Sequence, residues 1–178
     1  MNISGKAAPP AADHMFSVRD TDEEKYLPEE KAIALHHTTA QLLFLRSRVR
    51  RDIKTAVSFL TMRVKKPEED ERGKLKRSLK YLNGTRSLKL TLTIQSMGVI
   101  KWFVDGSHNT HWDCKIHGGA MMVMGYGAIS SYYRRIKANT MSSNETELVL
   151  VDAYMPEVLL SLYFIQVQGY GVKYAEIH

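Results

Sequence analysis

One long helical pattern between strand-like segments constrains the fold of this chain more than any other feature. Residues 142–169, SSNETELVLVDAYMPEVLLSLYFIQVQG, come after short β-branched and aromatic segments, and VKYAEIH comes after them. A strand that follows a long crossover helix normally pairs parallel to an earlier strand, whereas strands joined by short turns pair antiparallel. The order therefore predicts an α/β fold with a mixed sheet, in which VIKWFVD is central and VKYAEIH lies beside it.

Other strand-like segments surround the central one. SLKLTLTI and GVIKWFVDGS have the composition of strands, and so do GGAMMVMG and GAISSYYRRIKA. Between the last two stands Gly125-Tyr126-Gly127, which predicts the turn of a β-hairpin.

The region before the sheet has helical periodicity. EEKAIALHHTTAQLLFLRSR places Ile33, Ala40, Leu43 and Phe44 at steps of three and four residues, and RDIKTAVSFLTMRV repeats the pattern. EEDERGKLKRSLKYLNG begins acidic and ends at Asn-Gly, as a helix with a favourable dipole and a C-cap does. Its apolar stripe is Leu75, Leu79 and Leu82.

These patterns predict three parts. Residues 1–28 are expected to be a disordered acidic leader, because AAPPAAD and DTDEE show no apolar periodicity. Residues 29–90 form a small helical segment. Residues 91–178 form the sheet domain.

Positive charge is concentrated in the helical segment. The net charge is +6, yet residues 31–90 carry sixteen Lys and Arg against five Asp and Glu, and residues 1–30 carry three against seven. So basic a block predicts contact with a polyanion such as nucleic acid, and a solvated helix surface is the alternative.

Cysteine usage and apolar runs predict where the protein is found. The one cysteine, Cys114, excludes an internal disulfide framework and suits a reducing compartment. The N-terminal residues show no signal pattern, and the longest apolar runs are short of a membrane span. We therefore expect an intracellular protein that is not secreted and has no membrane partner.

Two carboxylates occupy positions at which α/β proteins build sites. Asp105 ends an apolar strand just before Gly-Ser, and the carboxyl ends of strands are where ligands bind in such sheets. Glu147 lies in the first turns of the long helix. Each has a plainer interpretation, because an Asp at a strand end is a common turn residue and a Glu near a helix start favours the dipole.

Residues 99–178 resemble the ribonuclease H domain of copia-type LTR retrotransposon polyproteins. The resemblance rests on IKWFVDGS, HGGAMMVMGYGAISS, SSNETELVLVDAYMPEVL and FIQVQGYGVKYAEIH, in the family's order. Upstream, LLFLRSRVRRDIKTAVSFLTMRV and KLKRSLKYLNGTRSLKLTL resemble the thumb or connection helices between the polymerase and that domain. The resemblance implies a ribonuclease H-like mixed sheet preceded by a small helical thumb or connection segment. It also implies that the rest of the polyprotein, with its polymerase domain, is a partner in a cytoplasmic particle or the nucleus.

The resemblance implies a chemistry as well. Enzymes of the family hydrolyse the RNA strand of RNA–DNA hybrids with two Mg²⁺ ions, which carboxylate oxygens hold. By resemblance, Asp105 and Glu147 are the catalytic residues and the metal ligands. Glu145 is the reserve choice for the helix position.

Seven residues are expected to contact nucleic acid. Some correspond to positions at which ribonuclease H enzymes approach the hybrid or its 2′-hydroxyl groups, and the others are cations of the basic segment. They are Gly106, Ser107, Ser143 and Asn144 by resemblance, and Lys74, Arg77 and Lys80 by charge.

The resemblance also predicts what the chain lacks. In the family the strand like VKYAEIH continues into an Asp that is the third metal ligand, followed by a further strand and helix. Because the chain ends at His178, we expect its sheet to be truncated after the fourth strand and the isolated chain to be inactive on hybrids. The paired aspartates of a polymerase do not occur in the sequence. Two alternatives stay open: a non-catalytic nucleic-acid-binding module that uses residues 46–80, and a marginally stable relic with an aggregation-prone sheet edge.

Two smaller patterns suggest a metal site and base stacking. His108, His111, Cys114 and His117 have the side chains of a zinc site, but equal three-residue spacing on one loop rarely closes a tetrahedron. A polar loop is the plainer interpretation. Either tryptophan could stack on bases; the pattern places Trp102 in the core and Trp112 in the loop.

Overall fold

The computed structural model of the protein describes residues 4–12, 14–17, 26–107 and 116–178. The chain divides into two compact units, which we call unit 1, up to Lys89, and unit 2, from Leu90. The described part of unit 1 is helical, and that of unit 2 combines a sheet with one helix.

Unit 1 is built from three α-helices. They are α1 (Glu29–Arg48), α2 (Lys54–Arg63) and α3 (Glu69–Gly84), with a 3-10 turn at Arg51–Ile53 leading into α2. A reciprocal capping box begins α3, because the Glu68 side chain accepts from the backbone of Glu71 while the Glu71 carboxylate accepts from the Glu68 backbone. The core of the unit includes Leu35, Leu42, Ile53, Val57, Leu60 and Leu75.

The buried face of α1 differs from the predicted one. Leu35, Thr39 and Leu42 are buried, at steps of four and three residues, whereas Ile33 and Phe44 are exposed. Apolar residues occur around most of this helix, so more than one set of them has the three- and four-residue spacing of a buried face. The packing of α2 against α1 selects among them.

The N-terminal segment packs on unit 1, although the sequence predicts disorder there. Met15 is buried in the helical core, and the ring of Phe16 meets that of Phe59 edge-on at 5.8 Å. The Ser78 hydroxyl donates to the Pro10 carbonyl at 3.1 Å. Few apolar residues suffice here because they fill positions that the helices leave open, and the described residues 4–12 and 14–17 therefore belong to the folded unit.

Unit 2 contains a four-stranded mixed sheet with one long helix, which confirms the predicted α/β class. The elements are β1 (Val99–Ser107), β2 (His117–Val123), β3 (Ser130–Arg135), α4 (Ser143–Val167) and β4 (Tyr174–Ile177). The strand order is β3-β2-β1-β4. β1 pairs antiparallel with β2 and parallel with β4, as the crossover argument predicts.

The predicted strand SLKLTLTI does not form. Residues 91–95 instead run beside the turn between β2 and β3, where Thr93 N–H donates to the Tyr126 carbonyl at 3.1 Å and Gln95 N–H to the Met124 carbonyl at 2.9 Å. A side chain at Gly125 would lie 2.4 Å from the Thr93 carbonyl oxygen, so this close approach requires glycine. Leu88, Leu92 and Ile94 are exposed as a result.

One face of the sheet is covered by α4. Trp102, Ala120 and Met122 of the sheet pack against Leu150, Tyr154 and Val158 of the helix. A β-carbon at Gly106 or Gly118 would lie 2.1 or 2.0 Å from the methyl groups of Leu150, so both glycines make room for the helix.

The contacts of α4 also give its direction. Leu150 lies over Gly106, late in β1, while Ser161 accepts from the indole nitrogen of Trp102, earlier in β1, at 3.3 Å. The helix therefore runs antiparallel to β1, and its first turns lie at the carboxyl end of that strand.

Length and composition alone would let α4 cross a membrane. It has 25 residues, and 17% of its most apolar window is buried. Core helices of soluble proteins can have the same length and apolar composition. In this chain one side of α4 packs on the sheet.

Candidate carboxylate site and basic surfaces

Asp105 lies near the carboxyl end of the central strand. It pairs with Gly119 of β2, and its carboxylate accepts a hydrogen bond from the Gly106 backbone at 2.7 Å. Because side chains alternate along a strand and Gly106 faces α4, the Asp105 side chain lies on the other face of the sheet. It is exposed there, beside Phe103.

Glu147 and Glu145 have different environments in α4. The Ser142 hydroxyl caps the helix by accepting from the Glu145 backbone at 3.2 Å, and the Glu145 carboxylate accepts from the Met141 backbone at 2.8 Å. These bonds give Glu145 a structural role at the helix start. Glu147 is exposed, and no described residue makes a hydrogen bond or ion pair with it. Of the two glutamates, Glu147 is therefore the one available to a ligand.

Three elements meet at one edge of the sheet. The first turns of α4 and the ends of the parallel strands β1 and β4 lie there. His178 continues the pairing of β4, since its backbone donates to the Trp102 carbonyl at 2.8 Å and accepts from Val104 at 2.9 Å. Its ring stacks on Phe103 at 5.0 Å, on the face that carries Asp105. We call this arrangement the carboxylate edge, and Asp105 and Glu147 approach it from different faces.

The carboxylate edge can be compared with what a metal requires. Mg²⁺ is held by oxygen ligands and commonly keeps several waters with one or two protein carboxylates. Asp105 and Glu147 supply carboxylates of this kind. Among residues 4–12, 14–17, 26–107 and 116–178, no group of three or more His, Cys, Asp or Glu side chains converges. At this edge the described side chains therefore offer two carboxylates, not a cluster of three or more acidic ligands.

The other four residues predicted to contact nucleic acid at this edge have different environments. Gly106 has a packing reason, because Leu150 fills the space where its side chain would be. The Ser107 hydroxyl points to the His117 carbonyl at 3.4 Å. Ser143 and Asn144 are exposed in the first turn of α4.

The structure describes one of the four possible zinc ligands, His117. His117 is buried in β2, with its ring 5.9 Å from that of Tyr133. His108, His111 and Cys114 lie outside the described residues, and so does Trp112. Trp102 is buried in the core of unit 2.

Lys74 is occupied inside unit 1. Its ammonium group lies 2.8 Å from the Asp70 carboxylate and donates to the Ser17 carbonyl at 2.7 Å. It also lies 4.7 Å from the centre of the Phe59 ring, and the residue is 4% exposed. This lysine therefore holds the N-terminal segment on α3 in the structure, which is not a surface phosphate contact.

The remaining cations of α3 are more accessible. Arg77 and Lys80 are half-buried, and the ammonium group of Lys80 lies near Gly5 of the N-terminal segment. Lys76 is exposed on the same helix.

A further group of cations gathers where α1 meets α2. Arg46 donates to the Lys54 carbonyl at 3.3 Å and also contacts the Ser58 hydroxyl. Burial, together with the positive charges of Arg46 and Arg51, lowers the pKa of Lys54 to about 8. We call Arg46, Arg51 and Lys54 the interhelix cation group. The i, i+3 spacing of Arg51 and Lys54 was the available sequence signal, but Arg46 joins them only through tertiary packing.

A scan against models of protein families and searches of curated proteins and of solved structures found no match to this chain.

Proposed function

We propose that the chain is part of a copia-type retroelement polyprotein, with unit 2 derived from its ribonuclease H domain and unit 1 from the connection that precedes it. The observation that carries this proposal is the placement of Asp105 and Glu147 at one edge of a mixed sheet. Asp105 is the third residue from the end of the central strand, and Glu147 is the fifth residue of the crossover helix. The substrate of the lineage is the RNA strand of an RNA–DNA hybrid.

The two carboxylates would hold Mg²⁺ at the carboxylate edge, and the ion would activate water and stabilise the leaving oxygen. Asp105 is oriented by its hydrogen bond from Gly106, and the capped start of α4 places Glu147. Because the described residues offer two carboxylates on different faces, we expect hydrolysis by this chain to be very slow or undetectable. Metal binding and hybrid binding are then the properties to measure.

Metal binding can be tested without activity. Titration with Mn²⁺ should broaden the NMR signals of residues 105–107 and 143–148, because a paramagnetic ion relaxes nearby nuclei. Asp105→Asn and Glu147→Gln should each weaken this broadening. Asp152→Asn, an exposed acid later in α4, is the matched control and should leave it unchanged. Equal broadening in Asp105→Asn would contradict a metal role for this edge.

Cleavage distinguishes lineage from present activity. The 178-residue chain and a version extended by the family's next strand and helix are incubated with a labelled hybrid and Mg²⁺ or Mn²⁺. We expect cleavage from the extended chain only, abolished by Asp105→Asn. Cleavage by either chain that survives both Asp105→Asn and Glu147→Gln would sink the assignment of the carboxylates.

The interhelix cation group favours a second function, binding of nucleic acid through unit 1. Three cations near one another at the junction of α1 and α2 raise the local positive potential, which attracts a phosphate backbone. Such binding needs no metal and no carboxylate, so it can persist where cleavage is absent.

Salt dependence tests this second function. Affinity for a hybrid should fall as salt increases, with a slope of about −0.9 for each phosphate contact on a log–log plot. Lys54→Met should reduce the slope by about one contact, while Lys31→Met, the same change at an exposed position of α1, should not. Affinity that is flat from low to high salt would exclude it.

A further inference from the structure

The outward side of α4 is apolar over its last three turns. We call Pro156, Leu159, Leu160, Tyr163, Phe164 and Val167 the outer stripe. These residues recur at steps of three, one, three, one and three, which places them on one side of a helix. Leu160 is 68% exposed, Phe164 61% and Val167 82%. Contiguous apolar surface of this kind marks an interaction site, whereas single exposed residues do not.

The outer stripe is not a misplaced core face. The opposite side of α4 already packs on the sheet through Leu150, Tyr154 and Val158. Tyr154 also donates to the Gly118 carbonyl at 2.6 Å. The helix therefore has two apolar sides, and the outer one is available while unit 2 stays folded.

Charge argues against a lipid surface or a nucleic acid as the occupant. Helices that lie on membranes carry Lys and Arg beside their apolar face, because these attract anionic headgroups. The sequence of α4 contains Glu145, Glu147, Asp152 and Glu157 and no Lys or Arg. The helix therefore lacks the cations that bind either polyanion, and Glu157 at the start of the stripe is paired with Arg134 of β3 at 3.0 Å.

Area argues for a second copy of this chain. Exposed fractions of 40–82% on Leu159, Leu160, Tyr163, Phe164 and Val167 correspond to about 600 Å² of apolar surface, taking roughly 150–250 Å² for a whole aromatic side chain. Tyr170, just after the helix, is also exposed, by 53%. Stable interfaces bury about 600–1,000 Å² from each partner, so the outer stripe reaches the lower end of that range. Two uncharged stripes of this size are self-complementary, as an isologous dimer requires.

We propose that two copies of the chain associate through the outer stripes of α4, packed antiparallel about a two-fold axis near Leu160 and Tyr163. The acidic residues of α4 lie before the stripe or at its start, so parallel packing would place two acidic helix starts side by side. Antiparallel packing separates them and also sets the helix dipoles in opposite directions.

Sedimentation equilibrium of the full 178-residue chain over a concentration series tests the association. We expect a monomer–dimer equilibrium in the micromolar range, and Phe164→Glu should weaken it at least tenfold. Phe44→Glu is the matched control, because Phe44 is an exposed phenylalanine of unit 1 with a similar exposed fraction of 66%. It should leave the equilibrium unchanged. Leu160→Glu provides a second variant, and circular dichroism confirms that each variant is folded.

Crosslinking tests the arrangement. In a Cys114→Ser background, Tyr163→Cys near the axis should form a disulfide-linked dimer, and Val167→Cys at the end of the stripe should not. Efficient crosslinking through Val167→Cys alone would overturn the antiparallel packing.

Several results would overturn the proposal as a whole. They are a monomer at every concentration up to the solubility limit, a dimer that Phe164→Glu and Leu160→Glu leave intact, association into particles without defined stoichiometry, and recruitment of the chain to phosphatidylserine vesicles in place of dimerisation.

Discussion

Unit 1 buries paired charged side chains, whereas unit 2 exposes a contiguous apolar stripe. In unit 1, Glu71 is 2% exposed and Lys74 4%, and each has a charged partner. In unit 2 the core is apolar, and the outer stripe of α4 faces outward. Burying an unpaired charge costs too much free energy, so a buried charge has its partner inside the protein. The surface around Glu71 and Lys74 is therefore already covered. An apolar stripe left outside indicates a surface that another molecule can still cover.

The contrast extends to how each unit is tied together. Arg50 is nearly buried and joins the α1–α2 connection to the end of α3, since its guanidinium contacts Asp52 at 2.7 Å and donates to the Thr85 carbonyl at 3.0 Å. Tyr81 donates to the same Asp52 carboxylate at 2.7 Å. In unit 2 the sheet and helix pack closely, with Gly106 and Gly118 beneath Leu150, and Arg134 of β3 adds an ion pair to Glu157 of α4 at 3.0 Å. Loss of a polar partner should therefore act mainly in unit 1, and loss of volume mainly in unit 2.

The largest expected effect is in the apolar core of unit 2. Trp102→Ala should lower the free energy of unfolding of unit 2 by about 3–5 kcal/mol, because it removes a fully buried ring and leaves a cavity. Phe103→Ala, at the next residue of β1 but half exposed, should cost less than about 1 kcal/mol. Urea unfolding followed by circular dichroism measures both. Equal costs would mean that α4 does not cover this face of the sheet.

A smaller loss is expected from the buried lysine of unit 1. Lys74→Ala should cost about 2–3 kcal/mol, because it leaves Asp70 and the Ser17 carbonyl without their partner. Lys76→Ala, an exposed change on the same helix, should lie within about 0.5 kcal/mol of the parent. Limited proteolysis is a second measurement: the N-terminal segment should be cleaved faster in Lys74→Ala, which releases it, than in Lys76→Ala. Equal stability of the two variants would contradict the role assigned to Lys74.

The Asp52 network should make unit 1 sensitive to acid. Burial works to raise the pKa of Asp52, but hydrogen bonds from Arg50 and Tyr81 outweigh it and lower the pKa. A carboxyl with a lowered pKa stabilises the fold at pH values above its unfolded value of about 3.9, and this contribution is lost as the pH falls through the folded value. Asp52→Asn should therefore cost about 1–2 kcal/mol at pH 7 and progressively less below about pH 4. A cost that stays constant down to pH 2 would exclude the ion pair as its source.

The smallest effect has the opposite sign. Because the pKa of Lys54 is lowered to about 8, its charge opposes folding at pH 7. Lys54→Met should raise the free energy of unfolding by about 1 kcal/mol, after allowance for solvent screening. The parent should approach the variant as the pH rises from about 8 to 10.4, where the folded lysine has lost its proton and the unfolded one has not. Thermal melts at pH 7 and pH 10 would show the gap close, and a gap that widens would refute the lowered pKa.

The order of strands and helix along the chain predicted the sheet, because few sheet topologies are compatible with that order. One crossover helix before VKYAEIH required a parallel pair, and the apolar VIKWFVD required a position covered on one face and paired on both edges. The buried face of α1 was not predictable in the same way, since Leu35 and Ile33 both fit an apolar stripe. SLKLTLTI alternates as a strand does, yet the turn at Gly125 gives it backbone partners without a strand.

Part of the candidate site followed from sequence as well. Asp105 was predicted at a strand end, and it lies there. Whether Asp105 lies on the same face of the sheet as α4 depends on which face Gly106 turns to the helix, and no spacing in the sequence records that. Lys74 looked like a surface cation because its neighbours in sequence are cations. Its burial results from Met15 and Ser17, more than fifty residues earlier in the chain.

The parallel pairing of β1 with β4 has a consequence in time. Val99 pairs with Tyr174, which is 75 positions later. At about 5–20 residues per second, a ribosome needs roughly 4–15 s to synthesise that interval. During those seconds β1 can pair with β2 on one side only, and its other edge is open to any extended chain nearby. The yield of folded protein should therefore depend on the speed of synthesis and on whatever shields the nascent chain, even when the finished molecule is unchanged.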